Sequence, residues 1–505
     1  MDYKQFIHYA AKFYSNMGNY SSYGNSKFIP ELDCEKFEEI LKCSSSYNEI
    51  KYIWDCIKDI VYDDSLNFKT INLNEKNGKN SYYLGDIREE DIKTIDKFLQ
   101  NKGIDLLNTR LMKISPSKFC YLVASVDERV EEWENSSIIG YYGEFSSFLT
   151  RVNENLRKAK EFCANELQAN MIDCYIESFK TGSIKKHIES QRWWVKDKKP
   201  VVETNVGWVE TYIDPMGVRA YFEGFVALTD KDKTRKFNTL VENSEKFIAS
   251  LPWTKDFEKT NFISPDFTAL DVVCFASNGC PIGINIPNYA EVQETDGFKN
   301  ISLSNAYPRF AADNLFFCNE KDIELLSQIG QQSYVMHVAC HELLGHGTGK
   351  LFRRNDKAEF NFDVENLINP LTNERIDKWY EENETYESKF TDVARSLEEL
   401  RADLCGLYFT FFREVHEIFE FNDTLYKDTI YSLWLLYIRK ALLGLNLYND
   451  EVKRWGQAHT QGAWIFVQFL LENQMKGQEI LTINLEEDKK TFSINLNKYF
   501  LFFYF

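Results

Sequence analysis

This chain of 505 residues is short of positive charge, of paired cysteines and of long apolar runs. Its 77 Asp and Glu outnumber 59 Lys and Arg, for a net charge of −18. So acidic a balance lacks the basic footprint of non-specific nucleic-acid binding, and no nucleic-acid partner is expected. The eleven cysteines are odd in number and scattered, with no CxxC pair. That is the pattern of reduced thiols, and the expected location is cytoplasmic. The first eleven residues carry Asp2, Lys4 and His8 and have no apolar signal core. No run approaches the roughly 18 apolar residues that a spanning helix needs, so no membrane partner is expected. What remains is ordinary for a folded protein. Hydrophobic residues make up 44% and aromatics 15% of the chain, enough for a large core in more than one domain.

Residues 1–60 read as helices broken by a turn-rich stretch, Ser15–Gly24. Residues 86–190 read as mostly helical, as in Phe145 to Ile172. The character changes near 200, where Val206–Ile213 and Val218–Leu228 flank an Asp214–Gly217 turn and predict a hairpin. Cys280–Tyr289 is β-like but carries Pro281 and Pro287. Proline cannot donate to a ladder, so this stretch is an edge strand or an extended loop, and an edge can accept an extended peptide. Helices are predicted over 320–346, Val393–Phe419, Leu425–Leu447 and Gly456–Leu471, with a polar excursion at 353–390. Residues 487–505 form an atypical tail. It ends in Tyr499–Phe505, an apolar, β-prone run that is an aggregation hazard when exposed.

Two short stretches carry chemistry. In His341–Glu342–Leu343–Leu344–Gly345–His346, two imidazoles flank a carboxylate. Imidazole is the commonest zinc ligand, and a Glu directly after the first His can poise a metal-bound water. In the widespread HExxH motif the histidines are four apart, about 40° round an ideal helix; here they are five apart, about 140°. Both reach one metal only if the helix is overwound or carries a π-bulge. Gly345 lowers helical preference where that distortion must fall. The bland alternative is a buried helix end with two satisfied histidines. In Ser396–Asp403, Glu399 and Asp403 share one helical face while Leu397, Leu400, Leu404 and Leu407 take the core side. Carboxylates beside an apolar stripe call for a metal or histidine partner. The alternative is a solvated face paired with Arg395 or Arg401.

Together, HELLGH at 341–346 and EELRAD at 398–403 resemble the two signature motifs of the dipeptidyl-peptidase III family. Further segments are similar in family order: Tyr14–Tyr20, Glu210–Tyr212 with Asp214–Pro215, Gly283–Tyr289, Gly297–Asn300 and Gln457–His459. The resemblance implies an α+β, predominantly helical fold of two lobes separated by a cleft. One is a mixed lobe with a partial β-barrel, at 1–230 and 269–311; the other is a helical zinc-bearing lobe, at 231–268 and 312–486. It implies one Zn2+ per chain held by His341, His346 and Glu399, with Glu342 as general base and Glu398 and Asp403 behind the ligands. Tyr212 and His459 would stabilise the oxyanion; Glu210, Asn285 and Asn288 would hold the substrate's free N-terminus. The implied activity is hydrolysis of dipeptides from short peptides by a monomeric enzyme. The sequence departs from the family at Leu400 (Cys), Asp403 (Glu) and Ala463 (Arg), and matches it as if truncated at both ends. The alternative is therefore a weakly active or inactive homologue that binds peptide and zinc.

Overall fold

The computed structural model describes residues 2–22, 25–73, 80–134, 136–259, 266–277, 279–311, 315–382, 384, 386–390, 393–450, 453–485 and 492–504. The chain divides into two compact units. The first takes residues 1–228, 272–281 and 286–298; the second takes 229–271, 282–285 and 299–505. The fold is α+β and predominantly helical.

The first unit holds a five-stranded sheet of β1 (Tyr83–Leu84), β2 (Thr109–Ser115), β3 (Lys118–Ala124), β4 (Arg129–Glu132) and β5 (Ile138–Glu144), in the order β1-β2-β3-β5-β4. The sequence predicts mostly helix across 86–190, and here the structure differs. β3 is the central strand, with Cys120, Tyr121, Val123 and Ala124 buried, so Phe119–Ala124 is a nearly unbroken apolar run. A strand buried on both faces shows no period of two and cannot be told from buried helix by pattern alone. The helical spacing after Phe145 is real, though split into Ser146–Lys160 and Glu166–Thr181. Asn165 caps the second by accepting from Gln168 N.

β6 (Val202–Trp208) and β7 (Phe222–Thr229) form the predicted hairpin, pairing from Val202↔Leu228 to Trp208↔Phe222. Its connection is longer than the Asp214–Gly217 turn. Pairing stops at Trp208, so Glu210 and Tyr212 lie on a loop rather than on a strand. That loop is tied down by charge. Asp214 accepts from the Tyr83 hydroxyl and from the backbone N–H of Met216, Val218 and Arg219. Arg219, fully buried, forks onto Asp96 at 3.0 and 2.7 Å.

β8 (Asp266–Ala276) pairs in parallel with β10 (Lys299–Leu303) through Asp266–Leu270, and β9 (Gly283–Ile286) closes the order β8-β10-β9 as an edge strand. Pro281 and Pro287 fall just outside β9, as their missing donors require. The helices Glu320–Cys340, Ala394–Phe409, Tyr426–Gly444 and Ala458–Asn473 surround one core. The predicted Val393–Phe419 helix is two helices, because the chain breaks at Thr410. Its hydroxyl bonds back to Leu407 O, and its carbonyl accepts from His416. The tail also differs from expectation. Leu481–Leu485 and Phe492–Leu496 pair as a hairpin, and Lys498–Tyr504 is helical. Ile494, Leu496 and Leu501 of the tail sit in the core together with Leu481, whereas Tyr499 at the start of the aromatic run is exposed. Residues 487–491 and 505 of the expected tail lie outside the described residues.

Candidate metal centre

The five-residue histidine spacing is met by a local change of helix. Glu320–Cys340 is α-helical, and His341–Gly345 continues it as a π-helical turn in which His346 N donates to His341 O at 3.0 Å. Bonding five residues back widens the turn and brings both rings to one side. Their centroids are 4.7 Å apart and their planes nearly perpendicular. Leu343 and Leu344, fully buried, anchor the opposite side. Gly345 has a further role that spacing alone does not show. A Cβ there would lie 2.7 Å from Ala402 Cα and 2.8 Å from Ala402 O, so only glycine lets the Ala394–Phe409 helix approach.

That approach delivers the second motif to the first. Glu399 Oε2 lies 3.4 Å from His341 Nε2, 3.5 Å from His346 Nε2 and 3.1 Å from His459 Nδ1. The other nitrogen of each motif histidine is occupied: His341 Nδ1 meets Asp403 Oδ1 at 2.8 Å, and His346 Nδ1 meets Glu398 Oε1 at 2.9 Å. A carboxylate on Nδ1 fixes the proton there and turns the Nε2 lone pair inward. Glu398 is in turn held by the Arg401 fork, at 2.9 and 2.5 Å. Asp403 is buried and faces histidines, which rules out the solvated-face reading for it.

The residues fit a metal. Glu399 Oε2 is buried and without a hydrogen bond, although three ring nitrogens surround it. Its separations from the motif histidines are long for charge-assisted hydrogen bonds, which run about 2.7–2.9 Å. They match the roughly 3.4 Å between neighbouring ligands on a tetrahedral ion with ligand bonds of about 2.0–2.2 Å. The electrostatics agree. Burial lowers the pKa of both rings, yet Asp403 and Glu399 carry His341 up to about 9. Against the same desolvation, Glu398 and Glu399 carry His346 well above its ordinary value. Burial raises the acids, but Glu398 is drawn down to about 2 by His346 and Arg401. The pocket is built to receive positive charge.

Glu342 also belongs here: ligand atoms of His341, Glu342 and His346 lie within 4.8 Å of one another. β9 packs over it so closely that a Cβ on Gly283 would lie 2.8 Å from Glu342 Oε1. Asn285, two residues along β9, donates to Asn300 Oδ1 at 2.6 Å. The expected residues Glu210, Tyr212 and Asn288 belong to the first unit. There Glu210 O accepts from Tyr221 N, Tyr212 O from Asn25, and Asn288 approaches Val209 O at 3.5 Å.

The family pattern described as "Peptidase family M49" matches residues 53–501. This chain belongs to peptidase family M49. It is therefore a peptidase, and its donor set is the candidate metal centre of a metallopeptidase. Among curated relatives, dipeptidyl peptidase 3 of Rattus norvegicus is 40% identical over 506 aligned positions, covering 95% of this chain and 68% of the relative. That of Homo sapiens is likewise 40% identical, with the same two coverages. That of Dictyostelium discoideum is 38% identical over 94% of this chain and 70% of its own. In fold, the M49 chain is similar to the structure of DPP III from Caldithrix abyssi, with a TM-score of 0.59, 17% identity, and 98% of this chain and 82% of that chain covered. The dipeptidyl-peptidase III structure from Corallococcus sp. strain EGB gives 0.59 at 16% identity, covering 97% and 73%. No helix among the described residues is long and apolar enough to cross a membrane.

Three residues near these sites carry no sequence signal. His337 and Lys440 both reach Asp403, and Glu223 on β7 is pushed up to about 8 by burial and by the Glu210 charge. An acid with a raised folded-state pKa holds a proton that the unfolded chain releases. Stability is thus lost as pH climbs from about 4.5 towards 8, by up to about 1.4 kcal/mol per unit. Glu223→Gln should flatten this slope. Urea denaturation at pH 6 and pH 8 should show the wild type losing at least about 1 kcal/mol more than the variant.

Proposed function

We propose that this M49 peptidase is a zinc-dependent exopeptidase that releases dipeptides from the free N-terminus of short peptides. The observation that carries the reading is the convergence of His341 Nε2 and His346 Nε2 on the unbonded Glu399 Oε2, with Glu342 alongside. His341, His346 and Glu399 would hold one Zn2+. When bound, zinc supplies Lewis acidity that polarises a carbonyl and lowers the pKa of water towards about 7.

The other steps fall to the chain's own groups. Glu342 accepts a proton from the attacking water and returns it to the leaving amine. Asp403 and Glu398 keep both ligand rings in the Nδ1–H tautomer. His459, beside Glu399, and the Tyr212 hydroxyl would donate to the oxyanion, each worth roughly 3 kcal/mol in the transition state. Glu210, Asn285 and Asn288 supply the countercharge and carbonyl acceptors that an ammonium group requires, which would set the register at two residues. The relatives named dipeptidyl peptidase 3 support that product length. The substrate class is short peptides, and the expected setting is a cytoplasmic monomer.

The test joins metal analysis to product analysis on the full chain. Zinc should copurify or rebind at one per chain, and an unblocked oligopeptide should lose dipeptides stepwise from its N-terminus. Chelation should abolish release, and zinc should restore it. Internal cleavage, or equal attack on an N-acetylated peptide, would contradict the exopeptidase reading. Bound zinc with no dipeptide released would favour the peptide-binding homologue.

A further inference from the structure

Asp403 does more than face one histidine. Its Oδ1 accepts from His341 Nδ1 at 2.8 Å and lies 3.3 Å from His337 Nε2. Its Oδ2 accepts from Lys440 Nζ at 3.1 Å. The three basic groups come from two helices, Glu320–Cys340 with its π-helical extension and Tyr426–Gly444. Asp403 sits on a third, so its carboxylate ties together three elements of the second unit. The carboxylate is buried, and an uncompensated carboxylate there would be costly.

The other histidine is supported in the same way. His346 is backed by Glu398, and Glu398 by Arg401. Each candidate ligand ring thus has its own carboxylate, and each carboxylate its own cation. One relay is local, three residues along a single helix. The other is tertiary, with Lys440 37 residues from Asp403. Aspartate has a short arm, and the His337 and Lys440 contacts confine it from two sides, leaving Oδ1 directed at His341.

We propose that Lys440 and His337 are positioning residues of the metal centre, holding the Asp403 carboxylate against His341 so that His341 Nε2 faces the ion. The inference rests on the zinc reading above. Lys440 neutralises the carboxylate without quenching its bond to His341, because the two contacts use different oxygens. His337 shares the His341 oxygen and limits rotation of the carboxylate about its own axis.

Zinc affinity of the full chain, measured by competition with a chromogenic chelator, tests this without reference to turnover. Lys440→Met should weaken zinc binding by about 10- to 100-fold, the usual effect of losing an outer partner of a metal ligand. Lys440→Arg should stay within about threefold of the wild type, since it restores the charge-assisted bond. A cavity of about 280 Å³ beside Lys440 leaves room for the longer side chain. His337→Leu should weaken binding less than Lys440→Met, because it removes a longer contact and no fixed charge. Wild-type affinity in Lys440→Met would overturn the proposal even if its melting temperature fell, since a purely structural lysine moves stability and not affinity. Should Lys440→Met fail to fold, Lys440→Gln takes its place with the same expectation and the same overturning result. A wild-type chain without zinc affinity would overturn the zinc reading and this inference together.

Discussion

Glu342→Gln should retain zinc and lose turnover. The amide keeps the volume of the side chain but cannot accept the proton of the attacking water. General-base catalysis contributes about 10²- to 10⁴-fold, so kcat should fall by that range, about 2.7–5.5 kcal/mol of barrier. The zinc content should stay at one per chain, because Glu342 is not among the groups facing Glu399 Oε2 at 3.1–3.5 Å. The decisive measurement pairs kcat on an unblocked peptide with metal content of the same sample. A variant releasing dipeptides at the wild-type rate would remove Glu342 from the mechanism. A variant that loses its zinc would make Glu342 a ligand instead.

Gly345→Ala should disable the centre from outside it. The added methyl would sit 2.7 Å from Ala402 Cα, 2.8 Å from its carbonyl oxygen and 2.9 Å from its Cβ. Two of these atoms are backbone, so relief requires the helix bearing Glu398, Glu399 and Asp403 to move away. Overpacking of this kind costs about 1–3 kcal/mol of stability. The larger effect is on geometry, since a shift of a few tenths of an ångström moves three carboxylates relative to two rings. Zinc affinity should drop by at least about 100-fold, the upper end for disturbed outer partners, because both relays are disturbed at once. Adding Ala402→Gly removes only the Cβ contact and should not restore binding. Full recovery in that double variant would show that the side-chain methyl, and not the backbone approach, sets the distance.

The candidate centre was legible to the extent that its information is local. Histidines at i and i+5 that are to reach one metal, with a glycine between them, require a distorted turn, and the π-helical turn at His341–Gly345 supplies it. Glu398, Glu399 and Asp403 fall on adjoining faces of one helix by spacing alone. The prolines bounding β9 likewise limit it to an edge strand or an extended loop, and in the fold it is an edge strand. By contrast β3, apolar from Phe119 to Ala124 because both faces are covered, reads as helix. Within Tyr499–Phe505, expected as an exposed run, Tyr499 is exposed but Leu501 is buried, because apolar sequence does not say what lies against it. The β-prone sequence places Glu210 and Tyr212 on a strand, since it does not reveal that the pairing ends at Trp208.

The sequence by itself determined the spacing of the candidate donors and the helical faces that present them, because each depends on backbone geometry within one element. Only the tertiary structure decided which carboxylate serves which ring, and that His337 and Lys440 converge on Asp403 from positions 66 and 37 residues away. The physical reason is that periodicity reports whether a face is buried, not what buries it. A lysine on an apolar helix carries no mark of its partner until packing brings an uncompensated carboxylate within reach.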